Sequence, residues 1–175
     1  MDAEAKTAQV AAEQLLDLYP RALPVVYGFL CGRCGDTALA EDLTAETFFD
    51  AVRAVKANAS GEITIAWLIV VARRRLVDHW RHQAVEDRHL QRVGEATPDS
   101  VDPWDDHVDV VRTRAALDRV GPHHRAALTL RYLDGLPVAE VAENLGRGLH
   151  ATEALLQRAR RALRVVYVEG GTDAG

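Results

Sequence analysis

Apolar residues recur along most of the chain at the spacing of amphipathic helices, and no segment alternates apolar and polar residues as a strand does. The pattern predicts helices over about residues 8–30, 36–56 and 63–82 in the first half. Pro20 and Pro24 divide the first of these into one or two helices, because proline restarts or kinks a helix. Asp36 or Thr37 is suited to cap the second. The fold class is therefore predicted to be all-α.

Residues 95–106, EATPDSVDPWDD, interrupt this helical pattern with two prolines and five acidic residues. Such a composition is typical of a linker. We therefore predict two small helical domains, over residues 8–83 and 109–168, joined by an acidic linker over residues 84–108. The tail over residues 169–175 is polar and glycine-rich, and we expect it to be disordered.

The segment from Leu136 to Arg164 shows two apolar stripes at helical spacing, separated by Gly146, which can supply a left-handed residue at a helix end. The stripes consist of Val138, Val141, Ala142 and Leu145, then Leu149, Leu156, Ala159 and Leu163. The small side chains of Ala139 and Ala142 favour close packing of the two helices. This layout is typical of a helix-turn-helix, whose second helix can enter the DNA major groove. A helical hairpin in any bundle gives a similar pattern.

The predicted third helix carries a basic stripe. Arg73 and Trp80 lie seven residues apart, as do Arg74 and Arg81, so each pair falls on nearly the same side. A row of arginine side chains with a tryptophan ring at its end is suited to hold phosphates while the ring stacks on exposed bases. The alternative, which this helix taken alone favours, is a solvated arginine face with Trp80 in the core.

The predicted second helix carries acidic residues. They are Glu41, Asp42, Glu46 and Asp50. Residues of this kind normally form a solvated face, and the alternative is a docking surface for a partner. Leu43 and Phe49 are the candidate apolar anchors of such a surface.

Composition limits the classes of function. The chain has 175 residues, 48% of them hydrophobic, and a formal net charge of −5, which argues against a generic DNA-coating protein. The charge is uneven, since residues 122–164 hold seven Lys/Arg against four Asp/Glu. The first ten residues are polar and acidic and do not resemble a secretory signal, and no apolar run approaches a membrane span of roughly 18 residues. We expect a cytoplasmic protein without membrane insertion.

Candidate catalytic and metal-binding groups are sparse. Cys31 and Cys34 in CGRC have the spacing of a redox pair or half a zinc site, but no second pair completes it. The neighbouring pairs Asp78-His79 and His123-His124 do not build a site, because adjacent helical residues diverge by about 100 degrees. We find no nucleophile–base set or phosphate loop. The expectation is no enzyme, no metal and no cofactor.

Three segments in this order resemble the extracytoplasmic-function (ECF) group of bacterial sigma factors, in the sigma-70 family. They are AEDLTAETFFDAVR, WLIVVARRRLVDHWR and LTLRYLDGLPVAEVAENLGRGLHATEALLQRARRALR. The resemblance covers roughly residues 10–83 and 110–166. It implies a region 2-like domain and a region 4-like helix-turn-helix domain. It also implies a sigma factor that binds core RNA polymerase and directs promoter recognition, DNA melting and transcription initiation.

The resemblance also implies roles for individual residues. Those matching the polymerase-docking motif of region 2 are Glu41, Asp42, Leu43, Glu46, Thr47 and Phe48. Those matching the loop and helix that recognise and melt the minus-10 element are Asn58, Ser60, Trp67, Arg73, Arg74, Arg75, Asp78, His79, Trp80 and Arg81. Those matching the region 4 surface for the minus-35 element are Arg147, His150, Thr152, Glu153, Gln157, Arg158 and Arg161. Alanine at Arg73 and Arg75 is expected to impair DNA melting and spare polymerase binding.

The second domain departs from the family pattern at several positions. Where family members often have Thr-Val-Lys-Ser-Arg, this chain has Ala-Thr-Glu-Ala-Leu over residues 151–155. Glu153 could accept a hydrogen bond from a cytosine amino group, and Leu155 could touch a thymine methyl. The same changes are compatible with weak or unusual minus-35 binding. Pro137 replaces the usual Ser/Thr cap and is tolerated in a first turn.

The resemblance implies three partners: core RNA polymerase at its clamp and flap regions, promoter DNA, and an anti-sigma factor. The acidic linker resembles the family segment that threads through polymerase. A stand-alone helix-turn-helix regulator that does not use core polymerase is the alternative. An inactive sigma-like interaction module is a third possibility. The region 2-like half discriminates, because an independent regulator needs neither a melting helix nor a polymerase-docking segment.

Overall fold

The computed structural model describes residues 2–57, 62–90 and 110–172, and every regular element within them is helical. The helices are α1 (Asp2–Cys34), α2 (Thr37–Lys56), α3 (Ile65–Leu90), α4 (Val110–Arg119), α5 (Pro122–Leu128), α6 (Val138–Leu145) and α7 (Leu149–Thr172). The all-α prediction is confirmed for these residues. The chain divides into two compact units, Met1–Leu76 and Val77–Gly175. None of the described helices is long and apolar enough to cross a membrane.

Helix α1 is a single helix that continues through Pro20 and Pro24. Each proline removes one backbone donor and disfavours a helix interior by about 3 kcal/mol. Both prolines are exposed and lie four residues apart, on one face of the helix. On the other side Ala22 and Val26 have no exposed surface. Burial of this apolar side offsets the local cost, so α1 is one helix, the first of the two possibilities that the prolines left open.

The turn between α1 and α2 depends on two local signals. Gly35 has φ of 72°, a left-handed conformation that glycine adopts without steric cost. Asp36 then caps α2, since its carboxylate accepts the N–H of Ala38 at 2.8 Å and of Leu39 at 3.4 Å. The prediction of Asp36 as the cap is therefore confirmed. Gly32 lies inside α1 and is not part of this turn.

Helix α3 begins after Thr64, whose hydroxyl accepts the N–H of Trp67 at 3.2 Å and so caps the first turn. It continues to Leu90, past the predicted helix end near residue 82 and into the segment predicted as the linker. Ala84 is 3% exposed, so an apolar face extends past the predicted end of the helix. Residues 58–61 and 91–109, which include the predicted contacts Asn58 and Ser60 and most of the acidic linker, lie outside the described residues.

The second unit has a small apolar core. It contains Ala116, Val120, Leu128, Ala159 and Leu163, with Leu117, Ala162, Val166 and Tyr167 packed against them. Arg125 on α5 closes the end of α4, because its guanidinium donates to the carbonyls of Leu117 and Asp118. These contacts hold α4 and α5 against α7.

Two details distinguish the second unit from a plain helical bundle. Residues Thr129–Leu133 widen into a π-helical turn after α5, with the N–H of Asp134 donating to the carbonyl of Thr129 at 2.9 Å.

Helix α7 continues to Thr172, so residues 169–172 are helical and the prediction of a disordered tail is wrong for them. Glycine weakens a helix interior by about 1 kcal/mol but does not forbid helical dihedral angles.

Candidate functional site

The first candidate surface is the exposed side of α2. Glu41, Asp42 and Glu46 are exposed, while Ala40 and Ala51 on the opposite side are fully buried. The acidic residues therefore form one solvent-facing stripe, which is suited to a basic partner surface.

Two residues predicted in this docking surface face the core instead. Leu43 is 4% exposed and Thr47 is fully buried. The Thr47 hydroxyl donates to the carbonyl of Leu43 at 2.7 Å, so its polar group is satisfied inside the helix. The prediction that these two side chains contact a partner is wrong in this conformation, because they occupy the apolar side of α2.

Aromatic residues complete the exposed side of α2. Phe49 is 64% exposed. Its neighbour Phe48 is half-buried and packs edge-to-face on Tyr19 of α1, with ring centroids 4.9 Å apart. Of the two candidate apolar anchors, Phe49 is therefore available to a partner and Leu43 is not.

Arg75 joins α3 to α2 through a bidentate ion pair. Its Nε donates to Oδ2 of Asp50 at 2.7 Å and its Nη2 donates to Oδ1 at 2.6 Å. Glu46 lies 3.5 Å from Nη1. This fork geometry is the strong form of an arginine–carboxylate contact. The expectation that Arg75 serves DNA melting alone, so that its alanine variant spares polymerase binding, therefore needs revision, since the guanidinium is engaged between α2 and α3.

Trp80 is buried, with 1% of its surface exposed, and its indole Nε1 has no hydrogen-bond partner. The buried ring agrees with the alternative that this helix taken alone favours, with Trp80 in the core, and not with stacking on exposed bases. Trp80 follows Ala72 and Leu76 at intervals of four residues, and both of these are buried as well. That repeat is the sequence signal for a core position, and it is more regular than the seven-residue relation to Arg73.

The remaining predicted minus-10 residues of α3 differ in exposure. Arg74 and Arg81 are exposed. Trp67, Arg73, Asp78 and His79 are half-buried. Asp78 lies 3.4 Å from Nη1 of Arg81, one turn along the helix. Of the arginines predicted in the minus-10 surface, Arg74 and Arg81 are therefore the exposed ones.

Sequence reasoning missed an aromatic–cation cluster at the end of α1. The guanidinium carbon of Arg33 lies 3.7 Å from the ring centroid of Phe29, and that of Arg73 lies 5.8 Å from the same centroid. Arg33 also donates to the carbonyl of Phe29 at 3.0 Å. The Phe29–Arg33 spacing of four residues signals the first contact, but the approach of Arg73 from another helix has no signal in the sequence.

The second candidate surface is a helix-turn-helix built by α6 and α7. Gly146 ends α6 with φ of 61° and ψ of 39°, which confirms the predicted left-handed residue. The N–H of Arg147 donates to the carbonyl of Ala142 at 2.9 Å and closes the turn. Pro137 lies at the cap position of α6, where its carbonyl accepts the N–H of Val141 at 3.0 Å. A proline that donates no hydrogen bond costs little there.

Helix α7 presents a polar face at its N-terminal end. We define the α7 polar face as His150, Glu153, Gln157 and Arg158, all of which are exposed. The Nδ1 atom of His150 lies 3.2 Å from Oε2 of Glu153. Arg147 and Arg161, the other two residues of the predicted minus-35 surface that carry a charge, are half-buried.

Two residues expected to contact DNA lie in the core of the second unit. Thr152 is fully buried and its hydroxyl donates to the carbonyl of Gly148 at 3.0 Å. Leu155 is 4% exposed. The expected contacts of Thr152 with DNA and of Leu155 with a thymine methyl are therefore wrong in this conformation. Leu149, which was predicted to be part of the apolar stripe of this helix, is 47% exposed and lies outside that stripe.

The pKa of His124 on α5 is affected by Arg158 on α7. Burial, followed by the positive charge of Arg158, lowers the pKa of His124 below its ordinary value of 6.5. A neutral imidazole at this position avoids adding charge next to Arg158.

The two cysteines lie at the end of α1, where Cys31 is half-buried and Cys34 is 2% exposed. Across the described part of the chain, no group of three or more His, Cys, Asp or Glu side chains is arranged to hold a metal ion.

Comparison with known proteins identifies this arrangement. The family description "Sigma-70 region 2" matches residues 18–85, and "Sigma-70, region 4" matches residues 111–163. These spans contain α2 and most of α3 in one case and the helix-turn-helix in the other. The presence of both regions in one chain defines a two-domain transcription initiation factor.

Individual relatives narrow the class. The chain is 33% identical over 151 residues to the ECF RNA polymerase sigma factor BldN of Streptomyces coelicolor, covering 83% of this chain and 57% of that protein. It is 32% identical over 160 residues to the RNA polymerase sigma factor CarQ of Myxococcus xanthus, covering 91% of this chain and 92% of CarQ. This chain belongs to the ECF group of the sigma-70 family.

A solved structure has the same fold. It is the sigma factor RpoE from Bartonella quintana, in complex with the anti-sigma factor NepR, with a TM-score of 0.51 and 20% identity. The match covers 85% of this chain and 92% of that chain.

Proposed function

We propose that this ECF sigma factor docks on core RNA polymerase through the exposed side of α2. It then recognises a promoter through α3 and the α7 polar face. The observation that carries the proposal is the presence of regions 2 and 4, in that order, in one chain. The first region supplies polymerase docking and strand separation, and the second supplies recognition of the duplex upstream.

The docking step is attributed to Glu41, Asp42, Glu46 and Phe49. Apolar side chains at the centre of an interface commonly contribute most of its binding energy, while charges at the rim steer association. Phe49, exposed and flanked by carboxylates, fits the first role, and the three acidic residues fit the second. The partner surface is the clamp of core polymerase, with the flap region left for region 4.

The melting step is attributed to Arg74 and Arg81 of α3 and to the residues that precede this helix. Arg74 and Arg81 would neutralise phosphates of the separated strand, with Arg73 beside them. Residues 58–61, which contain the predicted contacts Asn58 and Ser60, would hold an extruded base. Extruding a base costs a few kcal/mol, which a fitted pocket and phosphate contacts can offset. No catalytic residue is required, and we assign none to this chain.

The minus-35 step is attributed to α7, with Gln157 facing base edges and Arg158 and Arg161 nearer the phosphates. Recognition helices of this class contact bases with their N-terminal residues. The compartment of action is the cytoplasm, where polymerase and promoter DNA are found.

An anti-sigma factor is the third proposed partner. The related RpoE structure contains one, NepR. Binding of this kind would restrain the sigma factor until a signal releases it. Assays with purified full-length chain should therefore detect activity that a bound inhibitor would mask.

The test is in vitro transcription of fragmented bacterial genomic DNA by core polymerase, with and without the purified chain, followed by sequencing of RNA 5′ ends. New start sites that share two upstream motifs are expected. Absence of new starts with folded, inhibitor-free chain would contradict the proposal. Polymerase binding then separates an activator-dependent sigma factor, which binds, from a stand-alone helix-turn-helix regulator, which does not.

A further inference from the structure

We propose that Glu153 is a specificity-determining residue that selects a cytosine in the minus-35 duplex, and that His150 positions its carboxylate. The inference rests on the proposed function, since it requires α7 to lie in the major groove. The carboxylate of Glu153 would then determine which base pair this chain prefers at one position of the minus-35 element.

Burial determines which side chains at the start of α7 are able to meet a base edge. Thr152 and Leu155 belong to the core. Ala151 and Ala154 are exposed but carry only methyl groups. Glu153 is thus the central hydrogen-bonding side chain of the first two turns, with half of its side-chain surface exposed.

The two oxygens of this carboxylate are not equivalent. Oε2 lies 3.2 Å from Nδ1 of His150, one turn earlier on the same face. An imidazole protonated at Nδ1 donates to Oε2 in either the neutral or the charged ring. Oε1 of Glu153 has no hydrogen-bond partner among the described residues. His150 therefore holds one oxygen of Glu153 and leaves the other for DNA.

A carboxylate is an acceptor only, and this limits the bases that it can contact. In the major groove, cytosine presents an amino donor, whereas guanine presents two acceptors, N7 and O6. Adenine has a donor beside an acceptor, a pattern that amides match better than carboxylates. A carboxylate at the base edge therefore favours cytosine and repels guanine.

The opposite explanation is that Glu153 only repels DNA phosphates. In that case its removal would strengthen binding to every sequence equally. Selection for cytosine instead changes the relative affinities at one base pair and leaves the other positions as they were. The two explanations therefore differ in the base preferences and not merely in the affinity.

The experiment uses holoenzyme, assembled from core polymerase and full-length chain, with a promoter found by start-site mapping. A library randomised through the minus-35 element is bound, selected and sequenced for the wild type and four variants. They are Glu153→Gln, Glu153→Lys, His150→Ala and the control Glu143→Gln, which changes an exposed glutamate of α6.

We expect the wild type to prefer cytosine over guanine at one position by about tenfold, the scale of a base-specific contact. Glu153→Gln should reduce this preference, Glu153→Lys should shift it to guanine, and His150→Ala should weaken it at the same position. Glu143→Gln should leave it unchanged.

Unchanged base preferences in Glu153→Lys, with tighter binding overall, would overturn the inference and leave the proposed function intact. A cytosine preference that His150→Ala does not weaken would remove the positioning role. If the wild type directs no new starts, the proposed function fails first and this inference fails with it.

Discussion

Arg75→Ala is expected to loosen α3 from α2, and not only to remove a cation from a DNA surface. The wild-type guanidinium makes two short hydrogen bonds to Asp50, of 2.7 and 2.6 Å, across 25 residues of sequence. Arg74, the adjacent residue, is exposed and provides a matched control. The two arginines differ in their contacts and not in their charge.

The magnitude follows from the exposure of the pair. The side chains of Arg75 and Asp50 are 33% and 23% exposed, so the contact is neither a surface pair nor a buried one. Surface pairs contribute roughly 0–1 kcal/mol, and loss of one partner of a buried pair costs about 3–5 kcal/mol. We therefore expect Arg75→Ala to lower the free energy of unfolding by about 1–3 kcal/mol, and Arg74→Ala to change it by under about 0.5 kcal/mol.

The assay is urea unfolding of the full-length chain, followed by circular dichroism at 222 nm, for Arg75→Ala, Asp50→Ala and the double variant. The double-mutant cycle isolates the coupling between the two side chains. Arg75→Lys keeps the charge but lacks the bidentate fork, so it should recover only part of the loss.

Polymerase binding is the second measurement for the same variants. Because Asp50 lies on the docking helix, Arg75→Ala should weaken both polymerase binding and open-complex formation, whereas Arg74→Ala should affect only the second. A zero coupling energy, together with an Arg75→Ala defect limited to DNA melting, would refute this reasoning. It would restore the expectation that Arg75 acts in DNA melting and that its loss spares polymerase binding.

Three further outcomes are expected. Phe49→Ala should weaken core polymerase binding about tenfold or more without loss of stability. The control is Val70→Ala, which truncates another exposed apolar residue. Gly146→Ala should lower the stability of region 4 by about 1 kcal/mol in thermal unfolding, because its φ of 61° strains any residue with a Cβ atom. The pKa of His124 is lowered in the folded state, so the unfolded state binds more protons below pH 6.5. The stability of region 4 should therefore fall as pH drops through 6.5, and His124→Gln should flatten this dependence in a series of urea titrations.

Local signals in the sequence were sufficient for the helix ends that depend on one or two residues. Asp36 caps α2 and Gly146 ends α6, as expected from a carboxylate cap and a left-handed glycine. Such features need only neighbours along the chain. Of the two possibilities left open by Pro20 and Pro24, one helix or two, the structure has one, because packing along a whole helix face outweighs a local preference.

The order of three motifs determined the family, since regions 2 and 4 each carry a long, ordered pattern of residues. Periodicity also gave the apolar sides of α6 and α7, where Val141, Leu145 and Leu163 are buried as expected. Apolar residues that recur every 3.6 residues lie on one face of a helix, so a helix with many of them has a recognisable apolar side.

Only the tertiary structure decided the roles of individual polar and aromatic residues. The family resemblance placed Arg75 among the minus-10 residues, but its carboxylate partner comes from another helix. Trp80 and Thr152 carry polar atoms, yet the packed units enclose both side chains. A sequence specifies which residues share a helix face, because the helical repeat is local. Which face meets the core, and which distant side chain lies opposite, depends on contacts between helices that the sequence order does not contain.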